Sequence, residues 1–504
     1  MIRQEFPRVT PESVGIRSTD LLGLLRQFEQ SDSELHSIMI MRHGQICLEG
    51  WWAPYASHIV HGLQSHTKTY AATAVGLAVT QGYVRLTDRI VELFPDLAPA
   101  HPSENLSLMT VHDVLCMGCG METMPPPTVN WIRDFLATPV VHRPGTSFMY
   151  NSLGSTLLCA IVERVTGRKT ADFLKTELFD KIGIDAADLL WEYMLDGTEV
   201  GGGGLYAKTE DNLRLMKLYA DGGVWNGERL LSEDFVQRAT TRQIDSATER
   251  LGNPLATDNF LGYGYQIWMC QPQGAYRADG AMGQFTIVVP ERDLIISVTE
   301  TANGAHWAQN TLNMIWEFLD RVGPDDRTLP ENPQAAASLT QKIQQLALPS
   351  PAKSPPSPLA SQISNISYRR AGGGFQLSVS AINTMSGQPL PEPVDQFSLH
   401  FAADQCQLTL LQGGQTHLVQ IALDGTRVAN TLPVATAKHV LLSGEWLNDN
   451  TFEITARWIQ TCYEKKITCS FISNEQVMIA TTLSVGSLLS FTASEAQSGL
   501  LYEA

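Results

Sequence analysis

Ser65-His66-Thr67-Lys68 sets a hydroxyl and an amine three residues apart. On a helix that spacing returns the two side chains to nearly one face, where they can touch. A neutral serine is a poor nucleophile at pH 7. A lysine held in a desolvated pocket can lose its proton and then take the proton of the serine. The chemistry this pair could do is nucleophilic attack by Ser65 with Lys68 as its base.

Context separates this S-x-x-K from a chance match. Ser350-Pro351-Ala352-Lys353 fits the same pattern but lies in a proline-rich stretch where no helix persists. After Ser65 the chain runs Thr69-Tyr70-Ala71-Ala72-Thr73-Ala74-Val75-Gly76-Leu77-Ala78-Val79 to Gln81-Gly82. It carries no charge after Lys68 and ends at a glycine suited to a C-cap, so it reads as a helix buried on all sides. Ser65 stands at its N-terminus, where free amides and the helix dipole favour an oxyanion.

Two further stretches carry polar groups with chemical potential. In Phe148-Met149-Tyr150-Asn151-Ser152-Leu153-Gly154, Tyr150 stands at a loop-to-helix junction, and beside a lysine its phenolate becomes an accessible base. Asn151 or Ser152 would orient the lysine or a substrate carbonyl. In Tyr276-Arg277-Ala278-Asp279-Gly280-Ala281, small residues at a strand edge allow close approach of a substrate, and the Ala281 amide can join that of Ser65 in an oxyanion hole.

Other patterns fail on chemistry. Gly202 to Thr209 nearly matches a P-loop, but Ala207 replaces the required glycine. Cys116-x-x-Cys119 has no second pair, and His58, His61 and His66 lack an H-x-H-x-D companion, so no metal or organic cofactor is implied. No G-x-S-x-G elbow is present, which argues against the α/β-hydrolase fold.

The elements that must position these groups fall in three blocks. Residues 1–323 open with a helix from Thr19 to about Glu29 and a hairpin, Ser37–Arg42 and Gln45–Glu49, around His43-Gly44. A mostly helical, loop-rich stretch follows to about residue 200. Strand signals return at Tyr263–Met269, Gly274–Arg277, Gln284–Val289 and Leu294–Thr299, before a helix from Trp307 to Val322. Strands, then helices, then strands predict an α/β (α+β) domain on one mainly antiparallel sheet. Residues 324–362 hold eight prolines and many Ala and Ser residues, and read as a linker with a short helix near Ala335–Leu346. Residues 363–504 alternate in short segments: Phe375–Val379, Gln396–Phe401, Gln407–Leu411, His417–Ile421, Lys438–Leu442, Thr451–Trp458, Lys466–Phe471 and Gln476–Leu483. They predict an all-β barrel or sandwich.

Composition bounds the partners. The 504 residues carry a net charge of −17, which disfavours nucleic acid and anionic lipid. Met1-Ile2-Arg3-Gln4-Glu5-Phe6-Pro7 is followed by no apolar h-region, and no run approaches a membrane span. Eight cysteines dispersed over the chain suit reduced thiols, so a cytoplasmic location is the expectation. The sequence carries no signal for oligomeric state.

With the three motifs in this order, the chain resembles the serine hydrolases of the class C β-lactamase, penicillin-binding-protein, D-aminopeptidase and esterase type. The resemblance runs from Thr10-Pro11-Glu12-Ser13-Val14-Gly15 to about residue 322. It includes Val84–Asp88, Thr110–Leu115 and Gly201–Leu205. It implies that Ser65 is the nucleophile, Lys68 its partner and Tyr150 the base or proton shuttle. Ser152 holds the place of the asparagine in the family's Tyr-x-Asn. The family's Lys-Thr-Gly or His-x-Gly is matched to Ala278-Asp279-Gly280. The last part of the chain resembles the lipocalin-like domain appended to some relatives. The implied activity is cleavage of a small-molecule ester, amide or peptide through an acyl-Ser65 intermediate. The alternatives are acyl transfer from the same intermediate and a non-catalytic binding protein that retains the fold. Ala278 in place of a cation, with Asp279 beside it, predicts preference for neutral substrates over carboxylate-bearing ones. If the strand register shifts by one, Arg277 supplies the missing charge.

Overall fold

The first hairpin forms on a turn whose backbone only certain residues accept. His43 (φ 52°) and Gly44 (φ 70°) are both left-handed, as a type I′ turn requires, and this turn matches the twist of the flanking strands. It joins β1 (Ser33–Arg42) to β2 (Gln45–Trp51). Preceding it, α1 (Ser18–Gln30) buries Leu21, Leu22, Leu24, Leu25 and Phe28 along one stripe. The computed structural model describes residues 5–302, 308–323, 327–379, 383–389, 391–434, 436–484 and 497–504.

The helix that follows the hairpin, α2 (Thr67–Thr80), is buried from Thr67 to Ala78. Its small residues let neighbours close in. A Cβ on Gly76 would stand 2.5 Å from the ring of Phe235. Against α2 packs α3 (Ser152–Thr166), which is capped by the Asn151 side chain and ended by Gly167 at φ 70°. Four strands then complete the sheet: β3 (Trp268–Met269), β4 (Tyr276–Gly280), β5 (Gln284–Val289) and β6 (Leu294–Ala302). The order is β2-β1-β6-β5-β4-β3, antiparallel throughout, with Ser37 opposite Thr299 and Arg277 opposite Ile287. Helix α4 (Gln309–Leu319) follows; the Trp307 start expected for it lies outside the described residues.

One expected strand is mostly lost. Over Tyr263–Met269 only Trp268–Met269 is strand. Gln266 is left-handed at φ 56°, and a Cβ on Gly264 would stand 2.0 Å from the Ala239 carbonyl oxygen. The aromatic residues that suggested a strand pack instead on Phe148 and Tyr150.

The chain divides into two compact units: Met1–Ala347 with Thr384–Gln388, and Leu348–Asn383 with Pro389–Ala504. The division falls inside the stretch read as linker. Helix α5 (Pro333–Gln344) packs on α1, Lys342 bonds the Glu29 carboxylate at 2.5 Å, and the Ala53 amide donates to the Leu346 carbonyl at 3.0 Å. The linker helix is thus part of the first unit.

The second unit is a β-barrel. Its strands are β7 (Ser367–Arg370), β8 (Val394–Phe401), β9 (Gln405–Gln412), β10 (Gln415–Ala422), β11 (Val428–Thr431), β12 (His439–Asn448), β13 (Thr451–Trp458), β14 (Glu464–Phe471), β15 (Gln476–Leu483) and β16 (Gln497–Glu503). The order β10-β9-β8-β7-β16-β15-β14-β13-β12 closes where Ala422 of β10 meets Ser443 of β12, with β11 alongside β12. Closure removes the exposed edges of an open sheet. Phe375–Val379 is not a strand. Phe375 and Leu377 are buried, the Phe375 amide donates to the Tyr502 hydroxyl, and Lys465 holds the Ser378 carbonyl at 2.7 Å. Alternation there reports burial of one side without a ladder partner.

All eight cysteines are buried free thiols. Among the described residues no helix is long and apolar enough to cross a membrane.

Exposed chain without regular structure lies at 349–356. Limited proteolysis that separates the units should cut there, leaving Pro333–Leu346 on the N-terminal fragment, as intact-mass analysis would show. A first cut between 327 and 332 would contradict the docking of α5.

Candidate active site

The chain reaches Ser65 through a constrained turn. His61–Gly62 pairs with Tyr206–Ala207, and the Leu63 amide donates to the Leu205 carbonyl. Gln64 is then left-handed at φ 51°, an unfavourable conformation for a non-glycine residue. Ser65 follows in a single 3₁₀ turn, Gln64–His66, that runs into α2. It is half-buried, whereas Lys68 on the first turn of α2 is buried.

The two side chains meet. Lys68 Nζ lies 2.9 Å from Ser65 Oγ, 3.1 Å from Ser152 Oγ and 2.5 Å from the Gly202 carbonyl oxygen. Burial is the main cause that pulls the Lys68 pKa from 10.5 to about 7, with Asp279 opposing it. A neutral amine has two N–H donors and one lone pair. Ser152 and Gly202 take the donors, which turns the lone pair toward the Ser65 hydroxyl.

Tyr150 completes the cluster. Lys68 Nζ sits 4.8 Å from its ring centroid, and its ring stacks on Trp268 at 5.6 Å. Burial pushes the phenol far above its ordinary value, and the neighbouring Ser65 hydroxyl only partly offsets this. The phenolate expected beside a lysine is therefore the disfavoured form: Lys68 is itself near neutrality, and the proton stays on Tyr150.

The neighbouring residues divide. Ser152 Oγ reaches Lys68, but Asn151 turns away, its Oδ1 accepting from the Gly154 amide at 2.8 Å as the cap of α3. Ala278 is fully buried in the apolar core. Asp279 Oδ2 accepts from Arg277 Nε at 2.7 Å, and Arg277 also holds the Met269 carbonyl and Asn259. Arg277 is buried, and its guanidinium is taken up by these three partners. Burial raises the Asp279 pKa against the opposing pull of Arg277.

Gly280 fixes where β4 ends. A Cβ there would stand 2.1 Å from the Leu63 carbonyl oxygen, so only glycine lets the strand approach the Ser65 turn this closely. Ala281 follows at once. Gln284 holds its carbonyl at 3.2 Å, and among the described residues the Ala281 amide donates no backbone hydrogen bond.

Sequence reasoning missed the groups that brace this arrangement. Gln266 accepts from Ser155 Oγ at 2.7 Å, donates to the Leu115 carbonyl at 2.8 Å, and its own carbonyl takes the Thr69 hydroxyl at 3.0 Å. It ties α2 and α3 to one loop. The run Gly201–Gly204, which overlaps the failed P-loop match and falls within the family resemblance, presses its backbone on α3. A Cβ on Gly201 would stand 2.6 Å from the Ser155 carbonyl oxygen, and one on Gly202 2.5 Å from that of Ser152. Four consecutive glycines were the available signal.

A model of the family described as Beta-lactamase matches residues 36–315. The 6-aminohexanoate-dimer hydrolase of Paenarthrobacter ureafaciens is 24% identical over 313 residues, 57% of this chain and 78% of the relative. A candidate D-alanyl-D-alanine carboxypeptidase of Escherichia coli K12 is 23% identical over 300 residues, 47% of this chain and 68% of the relative. Among solved structures, a candidate 6-aminohexanoate-dimer hydrolase from Bacillus anthracis aligns at TM-score 0.51 and 18% identity. It covers 65% of this chain and 89% of its own, a likeness in fold.

The buried amine makes two expected outcomes. Lys68→Met should lower serine reactivity about 10²-fold or more. Because folding depresses the Lys68 pKa, the folded state sheds its proton first, so wild type should gain stability relative to Lys68→Met as pH rises from about 7 toward 10. Thermal denaturation of both proteins across that range checks the sign; a pH-independent difference would contradict it.

Proposed function

The chain belongs to the beta-lactamase family, and from that membership and the geometry of its cleft we propose that it is a serine hydrolase cleaving neutral esters or amides through an acyl-Ser65 intermediate. The observation that carries this is the Lys68–Ser65 contact of 2.9 Å, with an amine whose pKa burial has brought to about 7. Lys68 Nζ takes the Ser65 proton as Oγ bonds the substrate carbonyl carbon. The carbonyl electron pair moves onto oxygen, facing the Ser65 and Ala281 amides. As the tetrahedral adduct collapses, the bond to the leaving group breaks, and the Tyr150 hydroxyl hands it a proton that Lys68 replenishes. Water then repeats the sequence on the acyl-enzyme, with proton flow reversed. An amine or alcohol in place of water would give acyl transfer.

Support for neutral substrates comes from the Arg277–Asp279 pair. The guanidinium is already committed to a carboxylate 2.7 Å away. A substrate carboxylate would meet no free cation on β4 and would face Asp279, which is close enough to Lys68 to influence its charge.

Ser65→Ala should abolish hydrolysis of p-nitrophenyl acetate and butyrate while the fold persists; undiminished turnover in the variant would sink the mechanism, and a wild type that turns over neither ester would favour a non-catalytic binding protein. Wild type should favour these esters over nitrocefin in kcat/KM. Asp279→Asn, which leaves the Arg277 charge uncompensated, should shift that ratio toward nitrocefin several-fold. Efficient nitrocefin hydrolysis in wild type, lost in Arg277→Ala, would overturn the assignment of substrate class.

A further inference from the structure

Five residues stand apart from the chain around them. Thr384–Gln388 belongs to the first unit, although the residues before and after it belong to the second. The segment begins in a short helical turn, Asn383–Ser386. It is fixed by specific contacts. Gln388 Nε2 donates to the Tyr193 and Met194 carbonyls at 3.1 and 3.3 Å, and its backbone N–H donates to Ser386 Oγ at 3.2 Å. At Gly387, φ is 71° and a Cβ would stand 2.5 Å from the Pro127 carbonyl oxygen, so the backbone lies directly on that loop.

The segment delivers Met385 to the catalytic turn. A Cβ on Gly203 would be 2.6 Å from Met385 Cε and 3.7 Å from the backbone carbonyl of Gln64. Gly203 follows the residue whose carbonyl binds Lys68, and Gln64 precedes the nucleophile. Met385 is half-buried, packed against the apolar core of the first unit. The mechanism uses none of these five residues. Yet the methyl of Met385 fills space beside Gly203 that a glycine leaves open, within one residue of two catalytic groups.

We propose that Met385 is a specificity-determining residue. It walls the cleft beside Gly203, and the strap Thr384–Gln388 holds it there, so the substrate chain that lodges on this side is limited in length. A thioether is soft and unbranched, suited to contact with an apolar chain and able to adjust to small differences among substrates. Adding or removing a few carbons in such a pocket changes discrimination by about 10-fold or more. The substrate class is therefore a neutral ester or amide with a short apolar chain on the Gly203 side. The inference rests on the acyl-Ser65 reading.

Two homologous series test it on the full-length protein: p-nitrophenyl esters from acetate to octanoate, which vary the acyl chain, and acetate esters of naphthol and straight-chain alcohols, which vary the leaving group. Met385→Ala should raise kcat/KM for the long members relative to the short ones by about 10-fold in one series. Met385→Trp should move the same ratio the other way. Gln388→Ala, which loosens the strap, should follow Met385→Ala with a smaller shift. Unchanged ratios in both series for all three variants would overturn the proposal. A small fluorophosphonate, mapped to Ser65 by peptide mass analysis, separates the two failures. Wild type that labels but shows no change of ratio in its variants defeats the role of Met385 alone; wild type that does not label defeats the hydrolase reading and the proposal with it.

Discussion

A lysine amine held out of water is the constraint around which the first unit is arranged. Displacement of the Lys68 pKa from 10.5 to about 7 corresponds to about 5 kcal/mol of preference for the neutral form. Such an amine would be a liability anywhere else in a core. Here its hydrogen-bonding capacity is fully used by Ser65, Ser152 and the Gly202 carbonyl, and the ring of Tyr150 covers it. The same desolvation that makes it a base keeps the proton on Tyr150. One environment thus pushes two titratable groups into complementary roles.

The surrounding sequence follows from the need to exclude water without crowding the cluster. Helix α2 is built of small residues because it is enclosed on every side. The run Gly201–Gly204 brings backbone against α3, so that a carbonyl rather than a side chain meets Lys68. Gln266 satisfies buried groups on several elements at once, which a strand at that position could not do. Left-handed Gln64, Met117, Gln266 and Met282 all lie in the segments that form or brace this cluster. Their strain is offset by packing and hydrogen bonds in the folded state.

Much of this was legible in the sequence because it is written in local patterns. The His43-Gly44 turn, the charge-free helix after Lys68 and the alternation in Thr451–Trp458 and Gln476–Leu483 each declare their structure within a dozen residues. What was not legible depends on which of several possible partners each group takes once folded. Asn151 serves as a cap because α3 begins beside it. Arg277 is spoken for because Asp279, two residues along the same strand face, accepts its bond. The Phe375–Val379 alternation buries one side without pairing, while β7 and β16 pair with little alternation to announce them. The helix at 333–344 docks through Lys342 and Leu346, which proline content alone conceals. Nothing in the local sequence of 384–388 says that it belongs with the first unit.

The charge state of Lys68 is the point on which the account stands. Protein carrying lysine labelled with carbon-13 at Cε and nitrogen-15 at Nζ, compared with Lys68→Met to assign the resonance, would report its titration directly by NMR. We predict that the resonance lost in Lys68→Met titrates with a midpoint near 7. A Lys68 resonance that remains that of an ammonium up to pH 9 or beyond would contradict it.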